Sequence, residues 1–504
     1  MLFNSFNFIY FFIVVLFLLV IEQYTTKRVV VRNALLLVAS YVFYGWFNVG
    51  FLLILLYVTL VNYITGKQIL GRQQTTDKVC ASEQESSKLE LLLRAQPKLN
   101  EVNGQRTKLF LSIGVVLSLL PLLFYKYASF IVTNLQLLLG GESHADWLHG
   151  WAMPIGISFF TFQALSYSID VYRGKITERY SLPDFMLFVA FFPTVLSGPI
   201  EKARNLLPQL RAYKPLSASA FTEGAVTFVW GLFKKIVIAD RLCTYVDWAY
   251  ASAEYQSGAT LALAAVLYSI QIYCDFSGYS DMAWGVAKAL GFDVTRNFRF
   301  PYFATTIKEF WRRWHISLTS WFTEYVYFSL GGNRVRLKAR WVFNISMVFI
   351  LSGIWHGASW NFLLWGALHA VYYLIEYACG LHRKKYQTPR LLKLPATLMV
   401  FALVTLAWIF FRIEDFSTAT YVVSKIATDI ASPVAIGASS FTFACNMLLV
   451  VIFLVFDGLL YKRFLIREDR FAQPTMMNIV WVVALLLMLG LFSVSADNFV
   501  YFQF

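Results

Sequence analysis

The sequence predicts an all-α, polytopic membrane protein, and three observations carry that reading. Of 504 residues, 58% are hydrophobic and only 14% charged, against about 25% charged in soluble domains. No single water-soluble core hides that much apolar surface. The apolar runs are continuous instead of alternating, which is the helical pattern and not that of an outer-membrane barrel. Many lysines and arginines fall in short runs between these segments, as cytoplasmic loops do under the positive-inside rule. That placement turns the net charge of +14 away from nucleic acid and toward the lipid bilayer as a partner.

Taken in order, residues 8–21 form the first span, with Lys27, Arg28 and Arg32 behind it. They lack a basic leader and a small-residue cleavage site, so they read as a span and not a signal peptide. Spans 34–47 and 51–64 pair around Asn48-Val49-Gly50. Residues 66–108 are a polar cytoplasmic loop with eight Lys/Arg and five Asp/Glu and an amphipathic helix near 88–94. Residues 109–139 give one span, bent at Pro121. Segments 153–163, 191–193 and 196–201 are apolar but broken by Pro and Gly. Such breaks survive at membrane depth only where protein or a water-filled cavity covers the freed backbone groups, so they are expected to wall an internal cavity. Further spans fall at 221–238, 261–273, 341–355, 362–379, 398–411, 446–460 and 479–492.

The whole chain, 1–504, thus reads as one integral-membrane domain ending in the aromatic tail 499–504. Arg383, Lys384, Lys385, Arg390 and Lys393 belong in the cytoplasm, as do Lys462, Arg463, Arg467 and Arg470. Both termini then lie outside, and His356 faces the outer half. Cys80, Cys243, Cys274, Cys379 and Cys445 are odd in number and form no CxxC, which gives neither a disulfide framework nor a metal site.

Two of the six histidines sit among tryptophans, in Phe310-Trp311-Arg312-Arg313-Trp314-His315 and in Ser352-Gly353-Ile354-Trp355-His356-Gly357 before Trp360. His356 lies within an apolar segment, where a titratable ring is costly unless it is partnered or used. Gly353 and Gly357 thin the wall beside it, and Ser352, Ser359 and Asn361 offer hydrogen bonds. An imidazole there is suited to take a proton from a hydroxyl or thiol, so His356 is the candidate catalytic base. Read as one helix, 306–322 puts Glu309, Arg312, Arg313 and Ile316 on one face. Trp311, His315, Leu318 and Phe322 take the other. His315 either assists His356 or is packed at a helix contact, and the arginines also suit an interfacial helix whose cations snorkel.

A third cluster, 273–282, holds Asp275, Ser277 and Asp281. Each buried aspartate costs about 2.5–3.5 kcal/mol, so they bind substrate or else cap and pair with Arg296 or Arg299. Trp311, Trp314, Trp355 and Asn361 complete the candidate substrate-binding set, with Tyr501 from the tail. There is no GxSxG, P-loop, GxGxxG or HExxH, so no covalent serine, nucleotide or zinc machinery is read.

Six ordered motifs covering most of the chain are Pro154-Ile155-Gly156-Ile157-Ser158-Phe159, Ser197-Gly198-Pro199-Ile200, residues 274–281, 310–317, Leu330-Gly331-Gly332-Asn333-Arg334 and 352–360. Together they resemble the membrane-bound O-acyltransferases, in the bacterial alginate O-acetyltransferase-like branch. Peptidoglycan O-acetyltransferase and teichoic-acid D-alanyl transferase are its relatives. The resemblance implies a ring of about 11 or more transmembrane and re-entrant helices around a central tunnel, long enough in sum to span the bilayer many times. His356 matches the family's catalytic histidine and His315 its second polar position. It further implies transfer of an acyl group, acetyl above all, to hydroxyls of an extracytoplasmic polysaccharide such as alginate or another cell-surface polymer. No bound cofactor is implied; the donor is acetyl-CoA or an acyl carrier protein thioester. A periplasmic or extracellular acyltransferase partner and a bacterial inner-membrane location follow. Tyr501 then takes the acyl group transiently, or the tail is an interfacial anchor. D-alanyl transfer to another envelope polymer is the alternative. A transporter or channel is the alternative of another class, since broken helices and buried charges suit it too.

Overall fold

The computed structural model describes residues 1–83, 89–140, 151–382, 388–437, 439–467 and 476–492, and the side chains of all these but 74–83, 89–103, 463–467 and 476–481. The described residues are largely helical and contain no strand. Six of their helices are long and apolar enough to cross a membrane, as a polytopic all-α chain requires. The chain packs as two compact units, Met1–Leu216 and Ser217–Phe504. Tyr501 and the tail 499–504 lie outside the described residues, as do Arg383, Lys384 and Lys385.

In the first unit, α1 (Phe6–Thr25), α2 (Val29–Gly45), α3 (Phe51–Glu83) and α4 (Leu89–Leu138) follow the expected spans. Phe6, Tyr10, Ile13 and Phe17 of α1 are exposed, the pattern of a helix that faces lipid. The turn between α2 and α3 is closed by Gly50 N–H donating to Asn48 Oδ1 at 2.8 Å. The polar stretch 66–108 is not a loop: α3 and α4 run into it from both sides, leaving only 84–88 undescribed. Its Lys, Arg, Gln, Glu and Leu are strong helix formers, so a polar stretch need not be irregular. Pro121 lies within α4 without ending it.

The interrupted segments of this unit are core. Gly156, at φ +77°, starts α5 (Ile157–Tyr172), which then runs unbroken where an interruption to 163 was expected. A side chain at Gly156 would meet the Val195 carbonyl at 2.5 Å, so glycine is required both for conformation and for space. After α6 (Leu182–Ala190), residues 191–200 are irregular yet buried. Their backbone is satisfied from within: Phe192 N–H donates to Ser40 Oγ (3.1 Å), and Gln163 links the Phe188 carbonyl to the Glu201 N–H ahead of α7 (Ala203–Arg211). This is the protein cover that irregular backbone needs at membrane depth.

In the second unit, α8 (Ala218–Leu232) passes through a π-helical turn (Phe233–Ala239) into α9 (Asp240–Ala251) and packs on the buried α10 (Gly258–Ala289). Two glycine pairs set their distance. A Cβ on Gly231 would lie 2.5 Å from the Gly278 carbonyl, and one on Gly285 2.5 Å from that of Gly224. Close backbone approach through small residues is how helices associate when lipid supplies no hydrophobic drive. There follow α11 (Ile307–Arg313), α12 (Ile316–Trp321), α13 (Lys338–His356), α14 (Trp360–Ala378) and α15 (Lys393–Arg412). The unit ends with α16 (Phe416–Thr428), α17 (Ser440–Arg467) and α18 (Met476–Phe492).

Candidate active site

The site is built where α11, α13 and α14 meet. Helix α13 ends on His356, and Ser359 caps the start of α14 by accepting from Phe362 N–H. Gly353 and Gly366 let the two helices touch: a Cβ on Gly366 would meet the Phe349 carbonyl at 2.5 Å, and one on Gly353 the Phe362 carbonyl. These glycines therefore do not thin a wall beside His356. They draw α14 onto it, and Phe362 fills the space where a Gly357 side chain would go.

His356 is 4% exposed. Trp355, Trp365 and Phe411 surround its ring at centroid distances of 4.9, 5.1 and 5.1 Å, all close to edge-on. His315, 1% exposed, meets Phe276 at 4.7 Å and Trp355 at 6.0 Å. Edge-to-face contacts of this kind fix ring orientation while leaving an imidazole's nitrogens in the plane of its own edge. Trp355 thus stands against both histidines that the sequence singles out.

A third histidine was missed. His369, on α14 one turn after Trp365, is fully buried, 4.9 Å from Trp365 and 4.9 Å from Trp311. Neither of its nitrogens, nor the indole N–H of Trp311 or Trp365, has a protein hydrogen-bond partner among the described residues. The signal was present: a polar ring within the apolar run 362–379 meets the same cost argument that picked out His356.

The 306–322 segment is not one helix. It breaks at Trp314 (φ −100°, ψ 128°) and at His315, whose φ of 42° and ψ of 56° are left-handed. A non-glycine residue there costs of order 1–3 kcal/mol and persists only where its surroundings over-determine it. Of the expected charged face, the Arg313–Glu309 ion pair (2.5 Å) is present. Helix α11 is anchored at its start by Glu376 of α14, whose carboxylate accepts the Ile307 and Lys308 N–H groups and pairs with His382.

The aspartates of α10 are committed elsewhere. Lys234 Nζ donates to Ser277 Oγ (2.7 Å) and Asp281 Oδ2 (2.8 Å), while Lys235 pairs with Asp275 (2.6 Å) and Asp240 (2.8 Å). The two aspartates thus pair with the lysines of the π-helical turn, while Arg296 pairs with Glu223 (3.6 Å) and lies over the Trp284 ring, 3.8 Å from its centroid. Asn361 Nδ2 donates to the carbonyls of Ile413 (2.5 Å) and Glu414 (3.0 Å), fastening the end of α15. Trp314 stacks on Phe310 (5.5 Å) and meets Trp408 at a tilt (5.1 Å, 46°).

Two cavities lie beside α11, and neither is lined by His315, His356 or His369. One, of about 1010 Å³, is lined by Lys308, Glu309, Arg312, His382 and Lys393 and reaches Tyr273 and Asp457. The other, of about 230 Å³, is lined by Lys308, Trp311, Arg312, Phe349 and Ser352. Lys308 and Arg312 border both, and the Trp311 and Phe349 rings of the smaller one pack on His369. Such a site offers an imidazole boxed by aromatic rings, with cations lining the cavities beside α11. That arrangement suits proton transfer at a group delivered by an anionic carrier. Among the described residues no cluster of His, Cys, Asp and Glu is placed to hold a metal ion.

The model of the membrane-bound O-acyltransferase family matches residues 36–414. A Pseudomonas aeruginosa protein named "Probable alginate O-acetylase AlgI" is 37% identical over 389 residues, covering 77% of this chain and 68% of the relative. The peptidoglycan O-acetyltransferase of Helicobacter pylori is 32% identical over 412 residues, 76% of this chain and 71% of its own. The teichoic acid D-alanyltransferase of Bacillus subtilis is 29% identical over 233 residues, 44% and 58% respectively.

Proposed function

Since this chain belongs to the membrane-bound O-acyltransferase family and is a multi-pass membrane O-acyltransferase, we propose that it acetylates hydroxyls of an extracytoplasmic polysaccharide, alginate or another cell-surface polymer. Where a separate periplasmic acyltransferase finishes the reaction, that partner takes the acetyl group in the polymer's place. The setting is the bacterial inner membrane with both termini outside. The observation that carries the reading is the placement of His356, buried at the end of α13 in its box of Trp355, Trp365 and Phe411. Acetyl is favoured over D-alanyl because the two acetylating relatives align over about three-quarters of this chain and the D-alanyl relative over 44%.

His356 takes the proton of the acceptor hydroxyl as its oxygen attacks the thioester carbonyl; the carbon–sulfur bond breaks, and the proton passes to the departing thiolate. The products are the acetyl ester and free thiol. His315, held against Trp355, assists by orienting that end of the site. The donor is acetyl-CoA or an acyl carrier protein thioester. Its phosphates suit Lys308, Arg312 and Lys393 at the larger cavity, and the aromatic walls keep water from the thioester.

The test is polymer-bound acetate in cells lacking this gene, complemented with wild type or His356→Ala at matched membrane levels. Wild type is expected to restore acetate, and the variant to fall short by roughly 10²–10⁴-fold, the usual reach of general-base help. Equal restoration by both would remove His356 from the reaction. Restored D-alanine with no acetate would move the reading to the other envelope branch.

A further inference from the structure

We infer that Asn297, which no motif singles out, is the positioning residue that holds His315 in its left-handed conformation, and that Ser280 orients it. Asn297 precedes α11 by ten residues and is 2% exposed. Its carbonyl accepts the Ile316 N–H at 2.9 Å, and its Oδ1 accepts the Ser317 N–H at 3.2 Å. These are the two amides that follow His315. Its Nδ2 donates to Ser280 Oγ at 3.2 Å, on the α10 turn that also carries Ser277 and Asp281. One residue thus clasps the start of α12 with main chain and side chain together while α10 fixes its amide.

The physical case is one of over-determination. An α-helix carried straight on from α11 would put His315 in the right-handed region and turn its ring elsewhere. Both amides would then need carbonyls one turn back. Asn297 removes both from that ladder, so the continuous helix loses its first hydrogen bonds at the point where the break occurs. The neighbouring Arg299 N–H donates to the Arg313 carbonyl at 3.0 Å, which pins the other side of the break. His315 keeps its place against Phe276, itself on α10. Four residues of α10 thus lie within two turns of one another: Ser277 and Asp281 hold Lys234, Phe276 seats the His315 ring, and Ser280 aims Asn297.

The activity arm of the test rests on the acyl-transfer reading; the structural arm does not. Full-length protein is purified as wild type, Asn297→Ala and Ser280→Ala, and amide hydrogen exchange is read over 314–321. Cells carrying the same variants, His315→Ala and the double variant His315→Ala/Asn297→Ala are assayed for polymer-bound acetate. In Asn297→Ala the amides after His315 are expected to exchange about fivefold faster, the loss of one ordinary hydrogen bond. Acetate is expected to fall about 10²-fold, as a misplacement of about 1 Å can cost. The double variant is expected to fall no further than His315→Ala, since two residues acting through one group are not additive. Unchanged exchange at 316–317 overturns the inference whatever the activity. Unchanged acetate, or a double variant lower than His315→Ala, overturns its catalytic part. If Asn297→Ala fails to accumulate, Ser280→Ala decides by the same readouts. If wild type itself acetylates nothing, the proposed function has failed and the exchange arm still decides the positioning role.

Discussion

The lysine–aspartate network between α8 and α10 and the histidine–tryptophan cluster between α11, α13 and α14 are equally withdrawn from solvent, but they settle their polar atoms in opposite ways. In the first, Lys234 and Lys235 meet Asp281, Asp275, Asp240 and Ser277 at 2.6–2.8 Å, so every cation has a carboxylate in contact. In the second, His369 and the indole N–H groups of Trp311 and Trp365 have no protein hydrogen-bond partner among the described residues and pack ring against ring. Burial without pairing costs free energy, and a site keeps such groups when something else is meant to use them. The first cluster is closed on itself; the second keeps hydrogen-bonding capacity that a substrate could use.

The largest expected effect breaks the scaffold side. Lys235→Ala leaves Asp240 and Asp275 buried together without their cation, which costs roughly 3–5 kcal/mol and should abolish accumulation in the membrane. The paired change Lys234→Met with Asp281→Leu removes charge from both partners at once. It is expected to keep level and melting temperature near wild type, because apolar replacement of a whole buried pair is often neutral. Collapse of the paired variant to the level of Lys235→Ala would mean that the network does more than hold α8 to α10.

A smaller effect of opposite sign sharpens the active-site side. His369→Leu removes two buried nitrogens that have no hydrogen-bond partner among the described residues and keeps an apolar side chain on α14. Thermal stability of the purified protein is expected to rise, by about 1–3 kcal/mol if the full desolvation penalty is recovered, while polymer-bound acetate falls. Stability gained with activity lost is the signature of a residue retained for function. Stability gained with acetate intact would make His369 a packing residue and remove the contrast between the two clusters.

Much of this was legible in the sequence because membrane helices announce themselves through continuous apolar runs, and α1, α2, α13, α14 and α15 fall where those runs lie. His356 was legible for the same reason in reverse, as a polar ring in such a run. The break at His315 was not, since the 306–322 spacing suits a helix and the cause is tertiary: two amides taken by Asn297 from a distant turn. The partners of Asp275 and Asp281 were available but overlooked. Lys234 and Lys235 stand inside the expected span 221–238, where two lysines carry the same desolvation cost as the aspartates. Matching cost to cost pairs them ahead of the nearby Arg296. Glu376, within the expected span 362–379, gave the same kind of signal.

The smallest effect concerns carboxylates that are neither buried nor catalytic, and it calibrates the other two. Asp415 caps α16, accepting from Thr418 N–H at 2.7 Å and from the Ser417 and Thr418 hydroxyls. These hydrogen bonds, the Ser417 hydroxyl first, hold its carboxyl down at about 2, below the roughly 3.9 of a free aspartate. A depressed folded-state value means that the ionised carboxylate contributes stability above the unfolded value, and that the contribution fades as pH falls from one toward the other. Wild type should therefore melt slightly above Asp415→Asn at neutral pH, with the gap constant down to about pH 4 and narrowing below it. A gap that is unchanged well below that point would assign the cap's effect to shape and not to charge.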